Sequence, residues 1–296
     1  MPRSRPVFRF APSPNGYLHL GHAFSALFSH AMARRHGGRF LLRIEDIDRE
    51  RSRPEFERAI YEDLAWLGIA WEEPARRQSD HFDAYAATLE RLDALGVIYP
   101  CFASRRDIAL AFTAKGGDTQ CDPDGVPIYP GLYRYTPRAF SAARIAAGEP
   151  YALRLDMEKA IALAQSKKNR PIQFRSIDEN DRAAVLHAAP ERWGDVVLAR
   201  KDFPASYHLA VVTDDALQGV THVTRGMDLF AATDIHRVMQ ILLDLPEPSY
   251  CHHRLIVDGQ GRKLAKSHRD KSLRSLRAGG ATPEAIKHMV GFSCDW

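Results

Sequence analysis

The sequence predicts an α/β chain, a doubly wound and mostly parallel sheet split by an inserted α+β subdomain and closed by a short helical tail. Three observations predict it. The first hundred residues alternate strand-like and helix-like segments, residues 101–205 lose that periodicity, and the alternation resumes beyond 205.

Element by element, residues 7–11 read as a strand stopped by the turn cluster Pro12-Ser13-Pro14-Asn15-Gly16. From Gly21 to about His36, Ala23, Leu27 and Ala31 recur at helical spacing, and Gly37-Gly38 ends the helix. Residues 40–44 are a near-continuous apolar run, the pattern of a strand buried on both faces. A second helix fits 54–67, with Pro54 at its start and Gly68 after its end. A third spans about 80–94, closed by Gly96 and followed by a strand at 97–99. This order of elements argues an open doubly wound sheet.

Between 101 and 205 the chain is rich in breakers, among them Gly116-Gly117, Asp122-Pro123-Asp124-Gly125 and Tyr129-Pro130-Gly131, and reads as short strands and loops. Sheet character returns at 207–213 and 219–224, a helix fits 228–243, a strand 255–257, and the last 25 residues read as helical and basic. The expected organisation is a nucleotide-binding body from 1–100 and 206–270, an inserted subdomain over 101–205 and a tail over 271–296.

Composition excludes several classes. Apolar residues make up 45% and charged residues 26%, the balance of a globular protein rather than a fibrous or disordered one. No run of about 18 apolar residues is present, so no transmembrane helix is expected. The basic start, Met1 to Pro6, leads into a strand rather than an apolar signal core. Cys101, Cys121, Cys251 and Cys294 are scattered as in a reduced, cytoplasmic protein, expected to be a monomer. A net charge of +4 does not by itself argue for nucleic acid. Its distribution says more: residues 206–250 hold two basic and six acidic side chains, and residues 251–296 hold nine basic against four acidic.

The glycine-rich dinucleotide fingerprint, the Walker loop and the metalloprotease His-Glu-x-x-His pattern are all missing. In the first strand-to-helix turn stands His19-Leu20-Gly21-His22. A helix N-terminus offers unpaired N–H groups and a positive dipole end to phosphate, and two histidines can donate to developing phosphoryl charge. Far along the chain, Lys263-Leu264-Ala265-Lys266-Ser267 follows Asp258-Gly259-Gln260-Gly261, two point charges on a glycine hinge able to close on a polyphosphate. Alone, the first is a weak tetrapeptide and the second a solvated basic loop. Together, at opposite ends of one sheet, they point to nucleotide chemistry.

Arg9 through His22, then Leu42-Arg43-Ile44-Glu45-Asp46-Ile47-Asp48, resemble the catalytic domain of the glutamyl-tRNA synthetases, class I aminoacyl-tRNA synthetases with a Rossmann-type fold. His19–His22 is similar to the class signature His-Ile-Gly-His, and Lys263–Ser267 to Lys-Met-Ser-Lys-Ser. The segments 207–212 and 221–226 extend the resemblance, which runs from Arg9 to about Ala285. Within the family the nearer match is to its short paralogues, the glutamyl-Q tRNA(Asp) synthetases, because only 29 residues follow Ser267 and no anticodon-binding domain is expected in them.

The resemblance implies ATP-dependent activation of L-glutamate without tRNA, then transfer to queuosine at the wobble position of tRNA(Asp). It implies glutamate contacts at Arg9, Ala11, Ser13, Glu45, Tyr207 and Arg225, with arginines on the carboxylates and Glu45 on the ammonium. ATP would meet His19, Gly21, His22, Lys263, Lys266 and Ser267, with His19, His22, Lys263 and Lys266 catalytic and Mg2+ carried on the phosphates. A truncated glutamyl-tRNA synthetase charging the acceptor end, a nucleotidyltransferase and a non-catalytic tRNA-binding paralogue remain as alternatives.

Two departures stand out. Ala265 occupies a position where the family carries serine, with both lysines kept. Where the family places zinc-binding thiols, Cys101 and Tyr129 stand but Ala103 and Tyr133 replace two ligands, so zinc is not expected. His252-His253-Arg254 reads as a basic strand end in the nucleotide site, His208 and His222 as core histidines on strands, and Trp66, Trp71 and Trp193 as packing residues.

Overall fold

The computed structural model describes residues 5–114, 120–200, 204–257 and 271–292. The N-terminal half opens with β1 (Val7–Phe10), α1 (Leu20–Arg35), β2 (Arg39–Ile44), α2 (Pro54–Trp66), β3 (Glu72–Arg77) and α3 (Phe82–Ala94). The middle contributes β4 (Ile98–Cys101), α4 (Arg105–Ala114), α5 (Arg138–Ala146), β5 (Ala152–Leu155), α6 (Met157–Lys168), β6 (Gln173–Ile177), β7 (Ala183–His187) and β8 (Val197–Arg200). The remainder is α7 (Tyr207–Leu217), β9 (His222–Gly226), α8 (Thr233–Leu242), β10 (Ser249–His253), α9 (Leu273–Ala278) and α10 (Pro283–Met289).

β1, β2 and β3 form a parallel sheet in that order. A second sheet runs β7–β6–β10–β9, with β6, β10 and β9 parallel and β7 antiparallel. The two meet where Thr221 N–H donates to Val7 O at 3.0 Å and Val7 N–H to Thr221 Oγ1 at 2.8 Å, which sets β9 beside β1. Strand order therefore reverses between β1 and β9. In a doubly wound sheet that reversal opens a crevice at the carboxyl ends of the strands.

Alternation along β1 divides the core. Phe8 and Phe10 pack with Phe24 and Phe28 of α1 and Ile60 and Leu64 of α2, while Val7 packs with Leu41, Val223 and Tyr250. A separate cluster gathers Tyr85, Leu209, Val212, Ile235 and Val238 from α3, α7 and α8.

Several expectations are corrected. Residues 207–213 are helical, not a strand. The Ser206 hydroxyl caps α7 by accepting from Leu209 N–H at 3.4 Å, and Thr213 Oγ1 donates to Leu209 O at 2.8 Å, tying a β-branched residue into the helix. Because α7 is buried on most sides, its apolar residues are too dense to show a 3.6-residue period. His208 accordingly lies on a helix. The strand expected at 97–99 is β4, over Ile98–Cys101, which pairs antiparallel with β5 in a β4–β5–β8 sheet rather than with the parallel strands. Among the described residues the last strand is β10 rather than 255–257, and α8 starts at Thr233 after a single 3-10 turn over Met227–Leu229. Among the described residues the stretch 101–205 holds three α-helices. Its β6 and β7 join the sheet of β9 and β10, while α6 packs near α8.

α9 and α10 pack back onto the body. Leu273, Ile286 and Val290 are buried in the core of α1 and α2, and Leu273 N–H donates to Leu18 O at 2.7 Å. Arg277 pairs with Glu62 at 3.1 Å, and Arg274 donates to Tyr17 Oη at 2.8 Å. Among the described residues no helix is long and apolar enough to cross a membrane.

Candidate functional site

The signature turn sits at the N-terminus of α1. His19 is the N-cap, in extended conformation, and its Nδ1 accepts from Gly21 N–H at 3.0 Å. His22 reciprocates: its Nδ1 accepts from His19 N–H at 3.2 Å, and the two rings lie 3.9 Å apart. This is a capping box built from two imidazoles. Because each Nδ1 accepts, each ring in its neutral form carries its proton on Nε2. Gly21 has a specific reason to be glycine: a Cβ there would lie 2.9 Å from His19 Cε1 and 3.1 Å from its Nδ1. His19 also forms an antiparallel bridge with Ser272, so the start of α9 braces the turn.

A cleft of about 780 Å³ opens at the strand reversal. Arg9, Ala11, Ser13, His19, Gly21 and His22 line it, as do Glu45, Tyr207 and Arg225, so the structure brings together nine of the sequence-predicted site residues. An adjoining chamber of about 410 Å³ shares Ser13, Glu45 and Tyr207 and reaches Val197, Ala199 and Arg200 of β8. Lys263, Lys266 and Ser267 lie outside the described residues.

The two arginines expected to meet carboxylates are held in different ways. Arg9, on β1, is buried and grips Asp215 of α7 through Nε at 3.0 Å and Nη2 at 3.3 Å, and its Nη1 donates to Thr224 O at 3.1 Å. Arg43, on β2, is fully buried between Asp215 at 2.7 Å, Glu45 at 3.2 Å and Asp214 at 3.8 Å. Asp214 further pairs with Arg76 at 2.8 Å and accepts from Tyr85 Oη at 2.9 Å. Three arginines thus face three carboxylates in one network that pins α7 over the strand ends. Burial pushes the Asp215 carboxyl up, but Arg9 and Arg43 outweigh it and hold it below its ordinary value. For Glu45 burial wins over Arg43 and Arg9, and its carboxyl is raised.

Arg225, on β9, is also buried, yet every partner is neutral. Nε donates to His252 Nε2 at 3.1 Å, and Nη1 to His236 Nδ1 at 3.2 Å and Tyr207 Oη at 3.4 Å. Nη2 donates to Thr233 Oγ1 at 2.7 Å, and the guanidinium lies 5.4 Å from the Tyr250 ring centre. Burial, then Arg225 itself, drives the nearby histidines down: His208 to about 4, His252 to about 3, and His236 well below its usual value. Tyr207 is raised, by burial more than Arg225 lowers it. Among the described residues Arg225 is therefore a buried cation in the cleft with no carboxylate beside it, an arrangement that favours an arriving anion.

The residues at the family's zinc positions do not fit that ion. Cys101 Sγ donates to Tyr129 Oη at 3.1 Å, and Ala103 and Tyr133 pack in the same small cluster. Cys121 lies in a bridge with Pro127. Among the described residues no three His, Cys, Asp or Glu side chains gather as a metal site. Arg43, Asp214, Asp215, Thr233 and His236 are site residues that sequence reasoning missed, whereas His252, expected at a strand end in the site, lies near the end of β10 against Arg225. The usable signal for the acids was the pair Asp214-Asp215 closing an apolar run, since buried carboxylates demand cations.

Residues 7–292 match the family described as tRNA synthetases class I (E and Q), catalytic domain. The chain is 48% identical over 285 residues to the glutamyl-Q tRNA(Asp) synthetase of Rhodobacter capsulatus, spanning 96% of this chain and 99% of that one. It is 37% identical over 279 residues to the glutamate–tRNA ligase of Aquifex aeolicus, spanning 94% of this chain and 55% of that one. The crystal structure of the glutamate-tRNA synthetase from Elizabethkingia anophelis superposes with a TM-score of 0.72 at 26% identity, over 94% of this chain and 54% of that one. The chain thus spans about half the length of the latter two proteins.

Proposed function

The chain belongs to the class I tRNA synthetases of the E and Q type, ligases by family, and from that premise we propose that it activates L-glutamate with ATP and then glutamylates queuosine at the wobble position of tRNA(Asp). The observation that carries the first half is Arg225, a buried cation facing the cleft through neutral partners only. The second half is supported by the relative from Rhodobacter capsulatus, whose match runs nearly end to end along both chains.

In this reading Arg225 takes a glutamate carboxylate, Arg9 presents its remaining N–H edge to the other, and Glu45 takes the ammonium, with Ala11, Ser13 and Tyr207 completing the pocket. The α-carboxylate oxygen attacks the α-phosphorus of ATP in line. An oxygen–phosphorus bond forms, the bond to the bridging oxygen breaks, and pyrophosphate leaves. His19 and His22 donate from Nε2 to the charge that builds on the phosphate oxygens, each such donor contributing about 2.7–4 kcal/mol at comparable sites. Lys263, Lys266 and Ser267 are proposed to meet the pyrophosphate. Mg2+, held by ATP's own phosphates and water, would neutralise their charge. A queuosine hydroxyl then attacks the glutamyl carbonyl and releases AMP. The parallel strands from the two ends of the chain carry activation, 101–205 meets the RNA, and Ser272 at the start of α9 braces the signature turn.

The test is glutamate-dependent ATP–pyrophosphate exchange without tRNA, followed by transfer of radiolabelled glutamate to tRNA(Asp) with and without queuosine. Exchange with glutamate and transfer only to the queuosine-bearing tRNA is the expected result. Transfer independent of queuosine, or to tRNA(Glu), refutes the second half; absence of exchange refutes the first.

A further inference from the structure

The partners of Arg225 differ in kind from those of its neighbours. Arg9 and Arg43 are fixed by Asp215, Asp214 and Glu45, so each already faces a carboxylate of the protein itself. Arg225 is fixed equally firmly, by four hydrogen bonds, but to an imidazole on β10, an imidazole and a hydroxyl on α8, and a phenol on α7. We infer that His236 and His252 are specificity-setting positioning residues: they aim the Arg225 guanidinium without neutralising it, so that its full charge is kept for the substrate carboxylate. This rests on the proposed glutamate activation and deepens it.

The donor order around Arg225 supports the assignment. Nη1 donates to His236 Nδ1, so His236 carries its proton on Nε2, which points at His208 Nδ1 at 3.2 Å. His208 is thereby an acceptor in turn, and its ring packs edge-on against Trp193 at 5.8 Å. The chain Arg225 to His236 to His208 has one consistent direction and no place for an added proton. On the other side, His252 Nε2 accepts from Arg225 and lies 3.4 Å from Thr233 Oγ1, which puts its own proton on Nδ1. Among the described residues that Nδ1 is buried without a hydrogen-bond partner. A protein that tolerates an orphaned buried donor usually keeps it for a reason other than stability. A carboxylate at position 252 could accept from Arg225 without stranding a buried N–H, yet the chain carries imidazole. The chemistry such a resident carboxylate would cost is the one the site needs: an unmatched positive charge in a desolvated pocket.

The experiment compares acid and amide isosteres at each position. The pairs are His252→Glu with His252→Gln and His236→Asp with His236→Asn. Both members keep an acceptor near the original nitrogen and differ by one charge. Glutamate-dependent ATP–pyrophosphate exchange gives KM for glutamate and for ATP separately, and thermal melting checks that each pair is folded alike. The expected result is a KM for glutamate about tenfold or more higher in the acid than in the amide at each position, with KM for ATP matched within the pair. A merely structural role predicts acid and amide equally impaired in both constants, and that outcome overturns the inference. If only one position can be purified folded, its pair alone decides. Absence of exchange in the unsubstituted protein sinks the proposed activation and this inference together. Normal exchange there with equal glutamate KM within each pair sinks the inference alone.

Discussion

Replacing Gly21 with alanine separates stability from chemistry at the signature turn. The new Cβ would sit 2.9 Å from His19 Cε1. Carbon atoms pack at about 3.5–4.0 Å, so the ring must retreat by about 0.6–1 Å. That displacement stretches the 3.0 Å bond by which His19 Nδ1 accepts from the residue 21 N–H, weakening an N-cap that contributes about 0.5–2 kcal/mol. Against this, alanine is better than glycine in a helix by about 0.8–1 kcal/mol. The two terms nearly cancel, and the melting temperature should move little. Activity should not survive so well, because moving a catalytic donor by ~1 Å costs on the order of 100-fold. Glutamate-dependent ATP–pyrophosphate exchange measures the loss, and calorimetry the stability. His19→Asn is the companion variant: its amide oxygen retains the cap acceptor while the Nε2 donor is gone, so it too should fold normally and exchange poorly. Full exchange by Gly21→Ala at unchanged stability would refute the claim that the ring position matters.

Asp215→Asn removes the charge that Arg9 and Arg43 share and should cost roughly 3–5 kcal/mol in denaturant unfolding, since it leaves buried guanidiniums short of a partner. Because the folded Asp215 carboxyl titrates below its unfolded value near ~3.9, its contribution is present above that pH and lost as pH falls through the folded value, so the variant's stability should vary less with pH in that acid range. Glu45, whose carboxyl is raised by burial, must be ionised to receive an ammonium. The KM for glutamate should therefore climb as pH falls toward its folded pKa. Glu45→Gln should abolish that climb and raise KM at neutral pH by about 10- to 100-fold, the worth of a charged hydrogen bond of ~1.5–3 kcal/mol. Metal analysis should find far less than one zinc per chain, with melting unaffected by a chelator. One zinc per chain would show that Cys101 and Tyr129 recruit ligands beyond those the structure brings near.

Legibility followed punctuation. β1, α1, β2 and α2 could be read because each is bounded by its own breaker, at residues 12–16, Gly37-Gly38, Pro54 and Gly68, and their bounds match to within one or two residues. α7 was unreadable for the opposite reason. Tyr207-His208-Leu209-Ala210-Val211-Val212 is apolar on nearly every side because it lies between α3, α8 and the strand ends, and a helix without a polar face has no period to detect. β4 was visible as a strand, but not its partner, since antiparallel pairing with β5 some fifty residues later leaves no local trace. Arg9, Glu45 and Arg225 were reached through resemblance rather than pattern. Nothing local in a sequence distinguishes a buried arginine such as Arg43 from a solvated one. Only the fold reveals that Asp214 and Asp215 answer it.

Charge accounting at the strand reversal links those residues to the choice of substrate. Arg9, Arg43 and Arg76 are matched by Asp214, Asp215 and Glu45. Arg225 stands outside that balance, so these four arginines and three carboxylates together carry one positive charge in excess. Free L-glutamate at neutral pH has two carboxylates and one ammonium, a net charge opposite to that excess; L-glutamine is neutral overall. Binding glutamate therefore completes the balance, whereas glutamine would leave a desolvated guanidinium with an amide oxygen in place of an anion. Hydrogen bonds to charged groups are worth about 1.5–3 kcal/mol against 0.5–1.5 for neutral ones, so discrimination near 10-fold or greater is available before any steric term. The β1–β9 junction makes this possible. By placing Thr221 against Val7 it brings Arg9 and Arg225 to one cleft from positions more than 200 residues apart, one held by an acid and one by imidazoles.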